Sequence, residues 1–197
     1  ARGIRVMDGM TEARLLSVNV SAGKTFHLRG RDVPTGIFKE AVSGRVRLSR
    51  LTLLGDVQVD RRVHGGPDQA AYVYPWEHYA FFRASLARPD LSAGFFGENF
   101  TTERLLEKDV RVGDVLRVGS ALVAVTKPRG PCFKMGLKAG SPAFVREMLE
   151  SRRLGFYLRV IEEGDVGAGD RIVLVSSSPE APTIAEVIEP CAPGYSG

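Results

Sequence analysis

Cysteine is scarce. The 197 residues contain Cys132 and Cys191, with no Cys-x-x-Cys between them. No disulfide framework is available, which points to a reducing, cytoplasmic setting. The three histidines, His27, His64 and His78, stand too far apart for paired zinc-ligand spacing. No apolar run approaches the roughly 20 residues of a membrane-spanning helix. The first twenty residues carry Arg2, Arg5, Asp8, Glu12 and Arg14, so no signal segment is expected there. Lys and Arg outnumber Asp and Glu by 27 to 23, but no polybasic run gathers them, so no specific nucleic-acid partner is expected. The small positive excess suits an anionic small ligand equally well. Gly-x-Ser-x-Gly, a P-loop, a dinucleotide fingerprint after a strand and a two-histidine metal motif are all missing.

With 44% hydrophobic and 25% charged residues, the chain is that of a folded protein, long enough for one domain with a real core. Twenty-two glycines and eleven prolines predict many turns and short strands. Strands are expected at 14–20, within 43–60 where the residues alternate, at 69–74, at 121–125 where the run is apolar throughout, and at 156–161 and 171–175. Residues 21–31 read as a basic surface loop. Pro75 opens a helix whose Trp76, Tyr79, Phe82 and Leu86 form a core stripe, with His78 off it at the surface. Ser141-Pro142 starts a second helix. Residues 109–118 and 165–174 share a valine, a Gly-Asp turn and a strand, the repeated hairpin grammar of a barrel. Residues 1–12 are expected to be a loose leader, 13–178 the domain, and 179–197 a peripheral tail with Cys191 a bystander.

Three stretches carry chemistry. Lys127-Pro128-Arg129-Gly130-Pro131-Cys132 presents a thiol on a stiff, cationic loop after a buried strand. Cationic neighbours favour the thiolate, the nucleophile and soft metal ligand; a lone cysteine is as readily a small buried hydrophobe. Val63-His64-Gly65-Gly66-Pro67-Asp68 is a loop whose glycines can form an anion nest. His64 there is an acid/base or ligand contact, or a hydrogen-bonded turn residue. Glu98-Asn99, between Phe96 and Phe100, reads a heterocycle's edge or makes an Asx-type turn. A Cys132/His64 nucleophilic pair has no support in the spacing.

Taken in order, Thr35-Gly36-Ile37-Phe38-Lys39, Gly55-Asp56-Val57-Gln58-Val59-Asp60, the His64 loop, Phe96-Gly97-Glu98-Asn99-Phe100, Gly113-Asp114 and Pro128-Arg129-Gly130-Pro131-Cys132 resemble the MOSC family, the molybdenum cofactor sulfurase C-terminal domain. The resemblance runs from about Leu15 to Ser176 and is greatest to the small stand-alone bacterial members that reduce N-hydroxylated compounds. It implies a mostly β, barrel-like fold of the kind seen in the pyruvate kinase barrel domain, with a few helices, and a molybdopterin-type cofactor. Cys132 would be the metal ligand. Arg129, Lys39 and Thr35, with Lys24 as a weaker contributor, would hold the cofactor's phosphate. Asn99 and Glu98 would face the pterin, and His64 and Asp60 would supply protons.

The implied reaction is a two-electron reduction of small N-hydroxylated bases or amidoximes. With no flavin or iron–sulfur motif in the chain, a separate reductase would deliver the electrons. Larger relatives carry an extra C-terminal helical segment; Thr183-Ile184-Ala185-Glu186-Val187 looks like the start of a shortened one, and a homodimer is compatible with it. The sulfurase relatives' pyridoxal-phosphate domain is not expected in this chain. Two other readings stand beside the reductase: a sulfur-carrier or cofactor-binding module without turnover of its own, and a non-catalytic barrel that binds an anionic ligand or partner.

Overall fold

Sheet formation dominates the computed structural model, which describes residues 12–28, 30–59 and 65–188. Among these the strands are β1 (Arg14–Val20), β2 (Lys24–Leu28), β3 (Arg31–Thr35), β4 (Glu40–Ala41), β5 (Arg45–Leu48), β6 (Ala71–Pro75), β7 (Phe100–Glu103), β8 (Val115–Val118), β9 (Ala121–Pro128), β10 (Phe156–Glu162), β11 (Gly164–Gly167) and β12 (Ile172–Ser176). The helices are α1 (Glu77–Ser85), α2 (Phe133–Ala139), α3 (Phe144–Ser151) and α4 (Ile184–Ile188).

One mixed sheet runs β12-β8-β9-β10-β6-β7-β1-β4, antiparallel except for the parallel β6–β7 pair. Its two sides then meet. Leu15 N–H donates to the Asp170 carbonyl at 2.9 Å, Ile172 N–H to the Ala13 carbonyl at 2.9 Å, and Gly169 N–H to the Leu15 carbonyl at 2.7 Å. The sheet therefore curls into a barrel, which removes exposed edges. Side chains alternate as a half-buried strand requires: Ala121, Val123 and Val125 of β9 point into the core. The two Gly-Asp repeats become neighbours, since β8 and β12 pair with Ile172 opposite Val118. Asp114 accepts the Arg111 N–H and Asp170 the Gly167 N–H, each three residues back, as turn residues do.

The barrel expectation is met, and several local readings change. The basic loop 21–31 is largely a hairpin, β2–β3, with Phe26 packed on Phe38 at 5.0 Å. Residues 56–59 alternate like a strand but form none. The alternation is inverted: the Asp56 side chain is buried, while Val57 and Val59 are more than a third exposed. Helix α2 has no counterpart in the sequence reading, because Gly136 and Gly140 mask a seven-residue helix. His78 is not at the surface; its Nε2 lies 2.8 Å from Oε2 of the buried Glu107. The tail contributes α4, whose Ile184 and Ile188 enter the core at i, i+4 spacing.

Candidate functional site

A cleft opens where the segment after β3, the turn after β5, and strands β6, β9 and β10 converge. Of the expected site residues it brings together Thr35, Lys39, Asn99, Arg129 and Cys132. Glycines make this convergence possible. A Cβ on Gly36 would lie 2.8 Å from the Val57 carbonyl oxygen, and one on Gly94 (φ 86°) 2.7 Å from that of Lys39.

Arg129 follows β9 and is buried. Its Nη1 donates to the Phe96 carbonyl at 2.5 Å, and its guanidinium lies 4.4 Å from the centre of the Tyr72 ring. Its Nε is buried with no hydrogen-bond partner among the described residues. A buried charged donor without a partner costs free energy, so this atom marks where an acceptor belongs. Burial works against the Arg129 charge, but Tyr157, Tyr72 and Cys132 around it more than compensate and raise its pKa above the usual guanidinium value. The same cation opposes the effect of burial on Tyr72 and Tyr157, whose phenols are nonetheless pushed up by desolvation.

Cys132 is half-buried at the N-cap of α2, in extended backbone (φ −115°, ψ 168°). A helix N-terminus and a neighbouring guanidinium are both surroundings that favour a thiolate.

Lys39 is held by Asp56. Its Nζ lies 2.6 and 2.7 Å from the two carboxylate oxygens, with the side chains 8% and 3% exposed. Burial pulls the Lys39 ammonium below the usual lysine range, Asp56 pulls it back, and Arg129 adds to the lowering. Asp56 also accepts Asn99 Nδ2 at 2.8 Å, Thr52 Oγ1 at 3.1 Å and the Ser21 N–H at 2.9 Å.

The other expected residues are placed differently. The Asn99 side chain lines the cleft but works inward: Nδ2 also donates to the Asn19 carbonyl, and Oδ1 accepts the Tyr72 N–H. Glu98 is fully buried behind the cleft wall, where Oε1 accepts Tyr79 Oη at 2.5 Å, Thr101 Oγ1 at 2.7 Å and the Gly94 N–H at 2.8 Å. Lys24 does not line the cleft; it is exposed on β2 and pairs with Glu40 at 3.2 Å. Thr35 Oγ1 accepts the Ile37 N–H at 3.2 Å and caps its own turn. Asp60 and His64 lie outside the described residues, as does Cys191. The Gly66 N–H donates to Gln58 Oε1 and Gln58 Nε2 to the Gln69 carbonyl, tying Gly66 to the cleft wall.

Sequence reading gave no role to Asp56, Gln58, Tyr72 or Tyr157, all of which line the cleft. The polar alternation of Asp56 and Gln58 was the one available signal. Tyr72 and Tyr157 meet through the β6–β10 register, which no local pattern encodes.

Among the described residues no three His, Cys, Asp or Glu side chains gather as a metal cluster. The cleft offers a different donor set: one thiol beside an unpaired guanidinium nitrogen. That set fits a group combining a soft metal with an anionic tail.

Known proteins resemble this chain in sequence and in fold. Residues 60–173 match the family described as MOSC domain. The chain is 43% identical to YflK of Bacillus subtilis over 162 residues, covering 82% of this chain and 73% of that protein. It is 37% identical to YiiM of Escherichia coli over 147 residues, 73% of this chain and 65% of YiiM. It is 32% identical over 149 residues to a Gibberella moniliformis protein named as a reductase; that match covers 74% of this chain and 26% of the fungal protein. The crystal structure of YiiM from Geobacillus stearothermophilus superposes with a TM-score of 0.74 at 34% identity, over 90% of this chain and 82% of that one. That of YiiM from Escherichia coli superposes with a TM-score of 0.67 at 27% identity, over 90% and 74%.

Proposed function

Since the chain belongs to the MOSC domain family, we propose that its cleft holds a molybdopterin-type cofactor and reduces small N-hydroxylated compounds to amines. The observation that carries this reading is that Cys132 and Arg129, whose Nε has no partner among the described residues, line the same cleft. When bound, such a group supplies the two-electron redox chemistry, R–NHOH + 2e⁻ + 2H⁺ → R–NH2 + H2O.

The protein's share is to bind, orient and protonate. Cys132 offers one soft thiolate ligand. Arg129 offers its Nε–H to an anionic phosphate, and Thr35 and Lys39 border the same space. Lys39 stays charged for that task because Asp56 holds it. Asn99 and Glu98 brace the cleft from behind. His64 and Asp60 are assigned to proton supply on the family resemblance. We assign electron supply to a separate reductase, because the chain carries no flavin or iron–sulfur motif. No described helix is long and apolar enough to cross a membrane.

The test is metal and pterin analysis of protein made in a cofactor-competent host, with hydroxylaminopurine reduction driven by reduced methyl viologen. Molybdenum or tungsten at near one per chain, and amine formation, are expected. Cys132→Ser should keep its melting transition, lose the metal and lose at least about 100-fold in rate, the scale of losing a group needed for chemistry. Absence of metal, or an unchanged rate in Cys132→Ser, would overturn the assignment. A persulfide on Cys132 without metal would favour the sulfur carrier.

A further inference from the structure

We infer that Lys138 is the positioning residue that fixes Cys132 in the cleft, by tying α2 to the two segments that supply Lys39 and Asn99. Lys138 does not line the cleft. Its Nζ donates to the Ile37 carbonyl at 2.8 Å and to the Gly94 carbonyl at 2.9 Å, and lies 5.3 Å from the ring centres of both Phe38 and Phe95. One ammonium is thus enclosed by two carbonyls and two aromatic faces drawn from two different segments.

Helix α2 needs such a fastening. Seven residues are too few to hold a helix by backbone hydrogen bonds alone. Only Met135 and Gly136 are buried, with Gly136 set against Ser141 and Pro142. Lys134, one turn before Lys138, adds a bond from its Nζ to the Pro34 carbonyl at 3.1 Å, but that contact is exposed. Cys132 sits at the far N-terminal end of this short rod. Whatever fixes the rod against the Ile37 and Gly94 segments fixes the sulfur relative to Lys39 and Asn99. Lys138 makes the part-buried contact that reaches both.

The inference rests on Cys132 as the working residue of the cleft, and its test reads the thiol itself, so its failure is distinct from a failure to bind metal or to turn over substrate. Wild-type, Lys138→Met and Lys138→Arg proteins are alkylated with iodoacetamide across neutral and mildly alkaline pH. Peptide mass spectrometry quantifies Cys132 separately from Cys191. Lys138→Met should melt cooperatively and show a limiting Cys132 alkylation rate at least about fivefold above wild type, with faster amide exchange confined to α2 and residues 35–39, as local opening requires. Lys138→Arg, which keeps the charge and the donors, should return the rate toward wild type. A Lys138→Met rate within about twofold of wild type, exchange rising throughout the barrel, or no recovery in Lys138→Arg overturns the inference. Should Lys138→Met not fold, Lys138→Gln is measured against the same criteria; if that also fails to fold, Lys138 serves the whole fold and the inference is lost.

Discussion

Lys39 and Asp56 face each other at 2.6 Å with almost no water access, and neither charge would be tolerated there alone. Replacing one partner leaves the other buried and unpaired. Asp56→Asn should therefore cost about 3–5 kcal/mol in urea denaturation, the range for breaking a buried pair. The double change Asp56→Asn with Lys39→Met should cost less than Asp56→Asn alone, since no uncompensated charge remains. A double mutant as damaged as the sum of the singles would show that the pair does not act as a unit. At this scale the sequence exposes residues whose type is diagnostic. Cys132 and Arg129 stand out because a guanidinium between two prolines, with a thiol directly after the second, has few structural uses. Asp56 does not stand out, because it reads as one polar position of an alternating strand. Its role depends on Lys39, Asn99, Thr52 and Ser21 arriving from four other places in the chain.

Elements set the cleft through their register. Strand β10 places Tyr157 opposite Tyr72 of β6, and Gly155 is the residue that lets β10 begin there. Its φ is 66°, and a Cβ on it would stand 2.2 Å from the Val73 carbonyl oxygen. Its own N–H donates to Glu107 at 2.8 Å, and its carbonyl accepts the Arg129 N–H at 3.3 Å. Gly155→Ala must move backbone, not a flexible side chain, and should cost about 3 kcal/mol, as a forced left-handed residue with a clash does. That corresponds to a fall in Tm of roughly 6–12 °C for a chain of this size. A variant melting within about 2 °C of wild type would mean that the β6–β10 register has slack. Local sequence does not mark Gly155 as the seat of this close approach; α3 ends earlier, at Ser151, with Arg152 as its left-handed cap. A core strand such as β9 is legible because its apolar run 121–125 has few places outside the core to go. The β2–β3 hairpin and α2 are not: the first is largely exposed and mixes charged with apolar residues, and the second is too short and glycine-rich to show a period.

For the whole molecule, buried titratable groups turn the architecture into a pH profile. Burial pushes the Glu107 carboxyl up, but its bonds from His78 and the Gly155 N–H outweigh that and hold it below the usual carboxylate range. Its contribution is present above about pH 4.3 and is lost as pH falls through the lower folded value. Lys138 acts in the opposite sense. Burial, with Arg129 and Lys39 adding to it, pulls its ammonium down to about 8 despite Glu98. Between that value and the ordinary lysine value of about 10.4 the unfolded chain binds the extra proton, so stability rises with pH, by up to about 1.4 kcal/mol per pH unit for one such group. Lys39 is lowered in the same sense. Above about pH 10 the trend reverses, because the phenols of Tyr72 and Tyr157 ionise first in the unfolded chain. Urea midpoints should therefore climb from about pH 8, reach a maximum near 10 and fall beyond it, and Lys138→Met should flatten the climb. The measurement is a set of urea denaturation curves at constant ionic strength for the two proteins. A wild-type midpoint that is flat or falling between about pH 8 and 10 would mean that neither lysine carries its charge at a cost in the folded protein.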